Sequence, residues 1–150
     1  MPAPAQSRGG SFFAFRAFPV PKSAMAKILV IDDDGSTCTL LGFVLKGEGH
    51  EVALFESAKL AMASLDEGAT FDLVVTDILM PEMDGIDVIR ALRRRGASPL
   101  ILAVSGAVAT PEVDLLKAAL NLGAQGALKK PFTNDAFLAI VADLLGRRPG

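Results

Sequence analysis

The sequence predicts an α/β fold, a doubly wound sheet of five parallel strands with helices on both faces. Three observations predict it. Short runs rich in Val, Ile and Leu alternate five times with longer segments of helical period between residues 27 and 145, the pattern of repeated βα units. Apolar residues make up 51% of the chain and are mostly aliphatic, with no Trp or Tyr, as suits strands buried on both faces. A length of 150 residues holds one domain of ordinary size, with no room for a second catalytic module.

The first strand is predicted over 27–31 and the first helix over 36–48, where Cys38 follows the apolar spacing of a core residue. Strand 51–55 and helix 58–67 form the second unit, in which His50 is an ordinary edge residue and Met62 a core one. Strand 72–76 leads through a turn at Pro81, Asp84 and Gly85 into helix 86–95. Arg93, Arg94 and Arg95 read as the solvated face of that helix. Strand 100–104 is followed by helix 111–122, whose start is set by Thr110 as N-cap, Pro111 in the first turn and Glu112 facing the helix dipole. Strand 126–129 and helix 134–145, with Phe132 and Phe137 packing between them, complete the set. Gly49, Gly68, Gly96 and Gly123 stand just past four of the helices, where a left-handed residue ends a helix.

Residues 1–24 read as a separate extension, expected to be disordered, because four Pro, a Gly-Gly pair and four Phe occur there without helical or strand period. Arg16 interrupts the apolar stretch 11–20, which argues against a secretory signal. Met25 stands directly before the first strand and would serve as a natural initiator. The domain is expected over 25–146, and 147–150 is expected to be a short tail with no output domain behind it.

Charge and cysteine usage exclude several classes. Residues 1–24 carry Arg8, Arg16 and Lys22 and no acid, which leaves 12 bases against 17 acids in the remainder. An acidic body offers no electrostatic footprint for nucleic acid. No run reaches the roughly 18 apolar residues of a membrane span, so no membrane insertion is expected. Cys38 is the only cysteine and His50 the only histidine, which rules out an internal disulfide or a zinc cluster and suits a reducing, cytoplasmic setting.

Ligands of open parallel sheets bind beyond the carboxyl ends of the strands. Those positions here are Asp32, Asp33 and Asp34 after the first strand, Asp77 after the third, Ser105 after the fourth, and Lys129 and Lys130 at the fifth. Carboxylates converging on one edge repel one another, and a hard divalent cation such as Mg²⁺ resolves the repulsion while leaving positions for water and a phosphate oxygen. One carboxylate can then act as nucleophile toward a phosphoryl group, its charge met by the metal, an ammonium and a hydroxyl. Adjacent strand residues face opposite ways, so only one of the two lysines can serve, and Lys130 beside Pro131 is the choice. Asp34 is read as a structural acid at the start of the helix.

The stretches KILVIDDDG (27–35), DLVVTDILMPEMDG (72–85) and KKPFT (129–133) resemble the receiver domain of two-component response regulators over residues 26–145. The resemblance implies the flavodoxin-like, CheY-like strand order 2-1-3-4-5. It also implies Asp77 as phospho-acceptor, Mg²⁺ held by Asp32, Asp33, Asp77 and the backbone carbonyl of Leu79, Ser105 as the switch hydroxyl, and Lys130 as the phosphate partner. Pro131 matches a proline that follows a cis bond. The implied protein is a single-domain response regulator, not a turnover enzyme. A histidine kinase or histidine phosphotransfer protein would phosphorylate it, and it would signal through the face of the fourth helix, fifth strand and fifth helix.

Three departures from the family pattern stand out. Ala127 occupies a position where the family usually carries an aromatic ring, so readout is expected to depend on Ser105, Gly106 and Ala107. Lys129 stands where an apolar residue is common. Leu79 and Ala107 occupy the positions that tune water attack, and neither can hold a water, which predicts slow self-dephosphorylation. Two rival readings exist: a pseudo-receiver that only binds, and a haloacid-dehalogenase-like phosphohydrolase in which IDDDGST (31–37) supplies Asp32 as nucleophile and Asp34 as acid/base.

Overall fold

In the computed structural model, which describes residues 25–96, 99–106 and 114–148, five strands alternate with five helices. They are β1 (Lys27–Ile31), α1 (Gly35–Gly47), β2 (Glu51–Phe55), α2 (Ala58–Asp66), β3 (Leu73–Asp77), α3 (Gly85–Arg94), β4 (Leu100–Ser105), α4 (Leu115–Asn121), β5 (Gly126–Lys129) and α5 (Asn134–Leu145). All neighbouring strands pair in parallel, in the order β2-β1-β3-β4-β5. The expected fold class and strand order are therefore found.

Strand alternation sorts the core into two layers, because successive side chains face opposite sides of a sheet. Ile28, Val30, Leu73, Val75, Leu102 and Val104 pack toward Leu41 and Leu45 of α1 and Phe137 and Val141 of α5. Leu29, Ile31, Val74, Ile101 and Ala103 pack toward α2, α3 and α4 through Ala61, Met62, Ile89, Leu92 and Ala119. Every residue of β3 is buried, as expected for a strand covered on both faces. The stacked rings of Phe132 and Phe137, 5.7 Å apart, bear out their packing role.

Two elements differ from the sequence expectation by one residue at a strand end. Asp77 is itself the last residue of β3, pairing with Val104, and Ser105 closes β4 opposite Lys129. The ladder bonds of the neighbouring strands carry both polar residues into the sheet edge. Helix α4 begins at Leu115, with Asp114 accepting a hydrogen bond from the Lys117 N–H. The proposed start at Thr110, Pro111 and Glu112 lies outside the described residues, as do residues 1–24 and Ala107. The other helix starts are capped by Asp34, Ser57, Asp84 and Thr133, each accepting from a backbone N–H of the first turn. Gly49, Gly68, Gly96 and Gly123 all adopt positive φ, as their places after helices anticipated.

The arginine run does not form one solvated face. Arg93 is half-buried and donates to the carbonyls of Pro99 (3.2 Å) and Gly123 (2.7 Å) and to Gln125 Oε1 (3.2 Å). Arg95 pairs with Asp66 at 2.6 Å, and Arg94 is exposed. Arg93 thus ties the end of α3 to the turns that precede β4 and β5. Removing it strands those carbonyls in a partly dry site, so Arg93→Ala should cost about 1–2 kcal/mol, whereas Arg94→Ala should change stability by less than about 0.5 kcal/mol. Urea unfolding followed by circular dichroism reads both, and equal midpoints for the two variants would refute the clamp.

The ends of the chain's described part meet below the sheet. Arg148 donates to the Met25 carbonyl at 3.0 Å and pairs with Asp72 at 3.5 Å. Asp72 in turn accepts from the Lys27 N–H, and His50 Nδ1 accepts from the Ala26 N–H. No helix among the described residues is long and apolar enough to cross a membrane.

Candidate functional site

The strand order reverses between β1 and β3, since the chain proceeds from β1 outward to β2 and then returns to the far side of β1. Such a switch point opens a crevice at the carboxyl ends of the two strands. Asp32 and Asp33 follow β1, and Asp77 ends β3, on either side of it. One carboxylate oxygen from each of Asp32, Asp33 and Asp77 lies within 4.8 Å of the others.

Each acid is held differently. Asp32 is buried, its N–H donating to the Phe55 carbonyl at 3.1 Å. Its carboxylate accepts from the Asp34 N–H at 2.9 Å and from Lys130 Nζ at 3.0 Å. Asp77 lies within 3.6 Å of the same ammonium, while Asp33 is exposed at the rim. The Lys130–Pro131 bond is cis, as the matching proline implied. Lys129 is exposed, and of the two lysines it is Lys130 that lies beside Asp32 and Asp77. Ser105 is buried at the end of β4, and its carbonyl accepts from the Lys130 N–H at 2.9 Å. Leu79 is half-exposed on the loop after β3.

Two glycines make room for this arrangement. A Cβ on Gly85 would overlap the carbonyl oxygen of Asp77, and one on Gly106 would come within 3.1 Å of the Lys130 stem. The loop between Leu79 and Asp84 is further shaped by Glu82, which takes a left-handed φ of 68°, and by a capping box between Asp84 and Asp87.

The electrostatics favour a cation. Burial raises the Asp77 pKa above the ordinary carboxylate value, the charge on Asp32 raises it further, and Lys130 only partly offsets both. Burial lowers the Lys130 pKa, but its hydrogen bond to Asp32 and the charges of Asp77 and Asp32 outweigh this and leave it raised. Three carboxylates therefore face one ammonium. Ligand oxygens about 2.1 Å from Mg²⁺ stand roughly 3–4 Å apart across an octahedron, so the cluster needs to tighten only slightly to hold such an ion.

Asp34 is not part of the cluster. Its carboxylate accepts from the Ser36 N–H at 3.1 Å and the Thr37 hydroxyl at 2.9 Å, and these bonds lower its pKa, the Thr37 bond most. It is the structural acid at the start of α1 that the sequence suggested. The hydrolase reading would need Asp34 free to move a proton and Asp32 free to attack, whereas Asp34 caps a helix and Asp32 is paired to Lys130. That reading is not favoured.

Sequence reasoning missed two supports of the site. The Cys38 thiol lies 3.2 Å from the Asp32 carbonyl and 3.5 Å from that of Phe55, bridging the ends of β1 and β2. Burial pushes its pKa up to about 11, so it stays a neutral thiol. The Thr76 hydroxyl donates to the Asp77 carbonyl at 2.9 Å. Neither residue carries a spacing signal beyond that of an ordinary core position.

The sequence profile of the response regulator receiver domain matches residues 28–142. The chain belongs to this family. Among curated relatives it is 34% identical over 123 residues to the transcriptional regulatory protein CpxR of Escherichia coli, covering 82% of this chain and 50% of that one. It is 36% identical over 121 residues to the DNA-binding response regulator MtrA of Mycobacterium tuberculosis, covering 81% and 51%. This receiver thus spans about half the length of those relatives. Among solved structures, a response regulator receiver domain from Clostridium thermocellum superposes with a TM-score of 0.73 at 28% identity, covering 81% of this chain and 95% of that one. The chemotaxis protein CheY4 of Vibrio cholerae does so with 0.70 at 29% identity, covering 80% and 98%. Receiver domains are signalling modules that meet kinases or phosphotransfer proteins and downstream targets, and this chain has their fold and an acidic crevice of the kind that binds Mg²⁺.

Proposed function

We propose that residues 25–146 act as a phosphorylation switch in which Asp77 takes a phosphoryl group from a histidine of a kinase or phosphotransfer protein. The observation that supports this most is the convergence of Asp32, Asp33 and Asp77 on one crevice with the Lys130 ammonium between Asp32 and Asp77. A carboxylate oxygen of Asp77 attacks phosphorus, the new O–P bond forms, and the P–N bond breaks with its electron pair leaving on the donor nitrogen. Asp32, Asp33, Asp77 and the Leu79 carbonyl would hold Mg²⁺, which when bound neutralises phosphoryl charge. Lys130 supplies the ammonium that meets a phosphoryl oxygen on Asp77, and Ser105 the hydroxyl.

The acidic body, with 12 bases against 17 acids, supports readout by a protein contact at the face of α4, β5 and α5 rather than by nucleic acid. Ala127 on that face is half-buried and brings no ring to move, so the shift would run through Ser105 and Gly106. These properties support a signalling module of the cytoplasm that works without turnover of an outside substrate.

Incubation with acetyl phosphate and Mg²⁺, read by intact mass, should add one phosphoryl group to the parent chain and none to Asp77→Asn. The label should persist for many minutes, because Leu79 offers no hydrogen bond to an attacking water. A mass gain on both proteins, or on neither, would overturn the assignment of Asp77, and loss of the label within seconds would overturn the role given to Leu79.

A further inference from the structure

Helix α1 carries apolar residues on two faces. Cys38, Leu41 and Leu45 are buried against the sheet, while Leu40 and Phe43 stand outward, 50% and 77% exposed. With Gly35, Ser36, Thr39 and Glu56 they line an open groove of about 630 Å³. Beside it Leu54 of the edge strand β2 packs over Gly42 and remains partly exposed. Phe43 leaves most of its ring in water, and an exposed apolar patch edged by polar groups is the mark of an interaction site.

We propose that this groove is a docking surface for the chain's own residues 11–20, SFFAFRAFPV. The chemistry matches. Four of the chain's nine Phe fall within residues 12–18, with Arg16 as the one charge among them. The groove is apolar around Leu40 and Phe43, with Glu56 as the one charge in its lining. The tether also reaches. Met25 is held at the foot of β1 by Arg148, and the neighbouring Ala26 bonds to His50 and Glu51, just past the end of α1. Phe43 precedes the last residue of α1 by one helical turn, about 6 Å, and the seven residues from Phe18 to Met25 span up to about 23 Å. Glu56 stands about 17 Å up, beyond the length of β2, within the roughly 30 Å open to Arg16. Attachment to the same chain supplies a millimolar effective concentration, so even weak docking is populated. Because Gly35 and Ser36 follow directly on Asp32, Asp33 and Asp34, the docked segment would border the acidic crevice.

Limited trypsin digestion of the full chain tests the proposal. Cleavage after Arg16, inside the Phe cluster, should be at least about tenfold slower than cleavage after Arg8, a ratio equivalent to about 1.4 kcal/mol of docking. Phe43→Ser and, separately, Leu40→Ser should bring the two rates together without changing the melt followed by circular dichroism, since both side chains are exposed. Equal rates at Arg8 and Arg16 in the parent chain, or protection unchanged in both variants, would overturn it. Protection that fades on dilution together with a dimer mass by light scattering would overturn it in favour of a second copy as occupant. No phosphoryl chemistry enters this readout, so it stands or falls apart from the assignment of Asp77.

Discussion

Gly85→Ala should lower the stability of the domain by about 3 kcal/mol or more, at the upper end of what overpacking a core costs, and should lower the melting temperature by roughly 10 °C. The added methyl would overlap the Asp77 carbonyl oxygen and lie 2.7 Å from the Ile78 Cα. These are backbone atoms, so no side-chain rotation relieves the overlap. Nor can the strand end retreat cheaply. The Ile78 N–H donates to the Val104 carbonyl at 2.9 Å, the Ile78 carbonyl accepts from the Gly85 N–H at 2.8 Å, and the Asp84–Asp87 capping box fixes the start of α3. Whatever relaxation occurs must move Asp77, so labelling by acetyl phosphate should fall as well. Gly47→Ala is the control, because a Cβ there meets nothing within 4 Å, and loss of a helical glycine should be neutral or stabilising by up to about 1 kcal/mol. A Gly85→Ala melt within a degree or two of the parent would show that α3 does not press on the site.

What could be read from the sequence follows from which physical signals are periodic. Strand alternation fixes sidedness, so Lys130 rather than Lys129 could be assigned to the crevice and the two core layers anticipated. Strand ends place ligands in open parallel sheets, so the convergence of Asp32, Asp33 and Asp77 is legible from their positions in the sequence. Helix periodicity failed on α1, where apolar residues at 40, 41, 43, 44 and 45 surround most of the helix. Nothing in that run says that Leu41 and Leu45 turn inward while Leu40 and Phe43 turn out. Arg93 was misread for a different reason: its partners are carbonyls of Pro99 and Gly123, and a backbone acceptor has no sequence signature. The Cys38 brace on Asp32 is illegible for the same reason.

At neutral pH without metal, Asp77→Asn should be more stable than the parent, and Mg²⁺ should reverse the ranking. The sign follows from the pKa shift. Burial and the Asp32 charge raise the Asp77 pKa in the fold, so the native state holds that proton more tightly than the unfolded chain. Its contribution to stability is complete below the ordinary carboxylate value of 3.8 and is lost as pH rises through the raised value. At pH 7 the ionised group is thus a net burden on the fold, and Asn removes it while Asp32 keeps its bond to Lys130 at 3.0 Å. A cation that binds the three carboxylates only in the folded state reverses the balance. At ten times its dissociation constant it adds about 1.4 kcal/mol, a rise of roughly 5 °C in the parent melt, and much less where Asn replaces one ligand. The rise should shrink as pH falls into the raised titration range of Asp77, because a protonated carboxyl must release its proton to bind. Melts by circular dichroism from pH 4 to 8, with and without Mg²⁺, check each step. Equal Mg²⁺ shifts in the two proteins would remove Asp77 from the metal site, and a parent more stable than Asp77→Asn without metal would mean that Lys130 outweighs burial and Asp32 at that carboxylate.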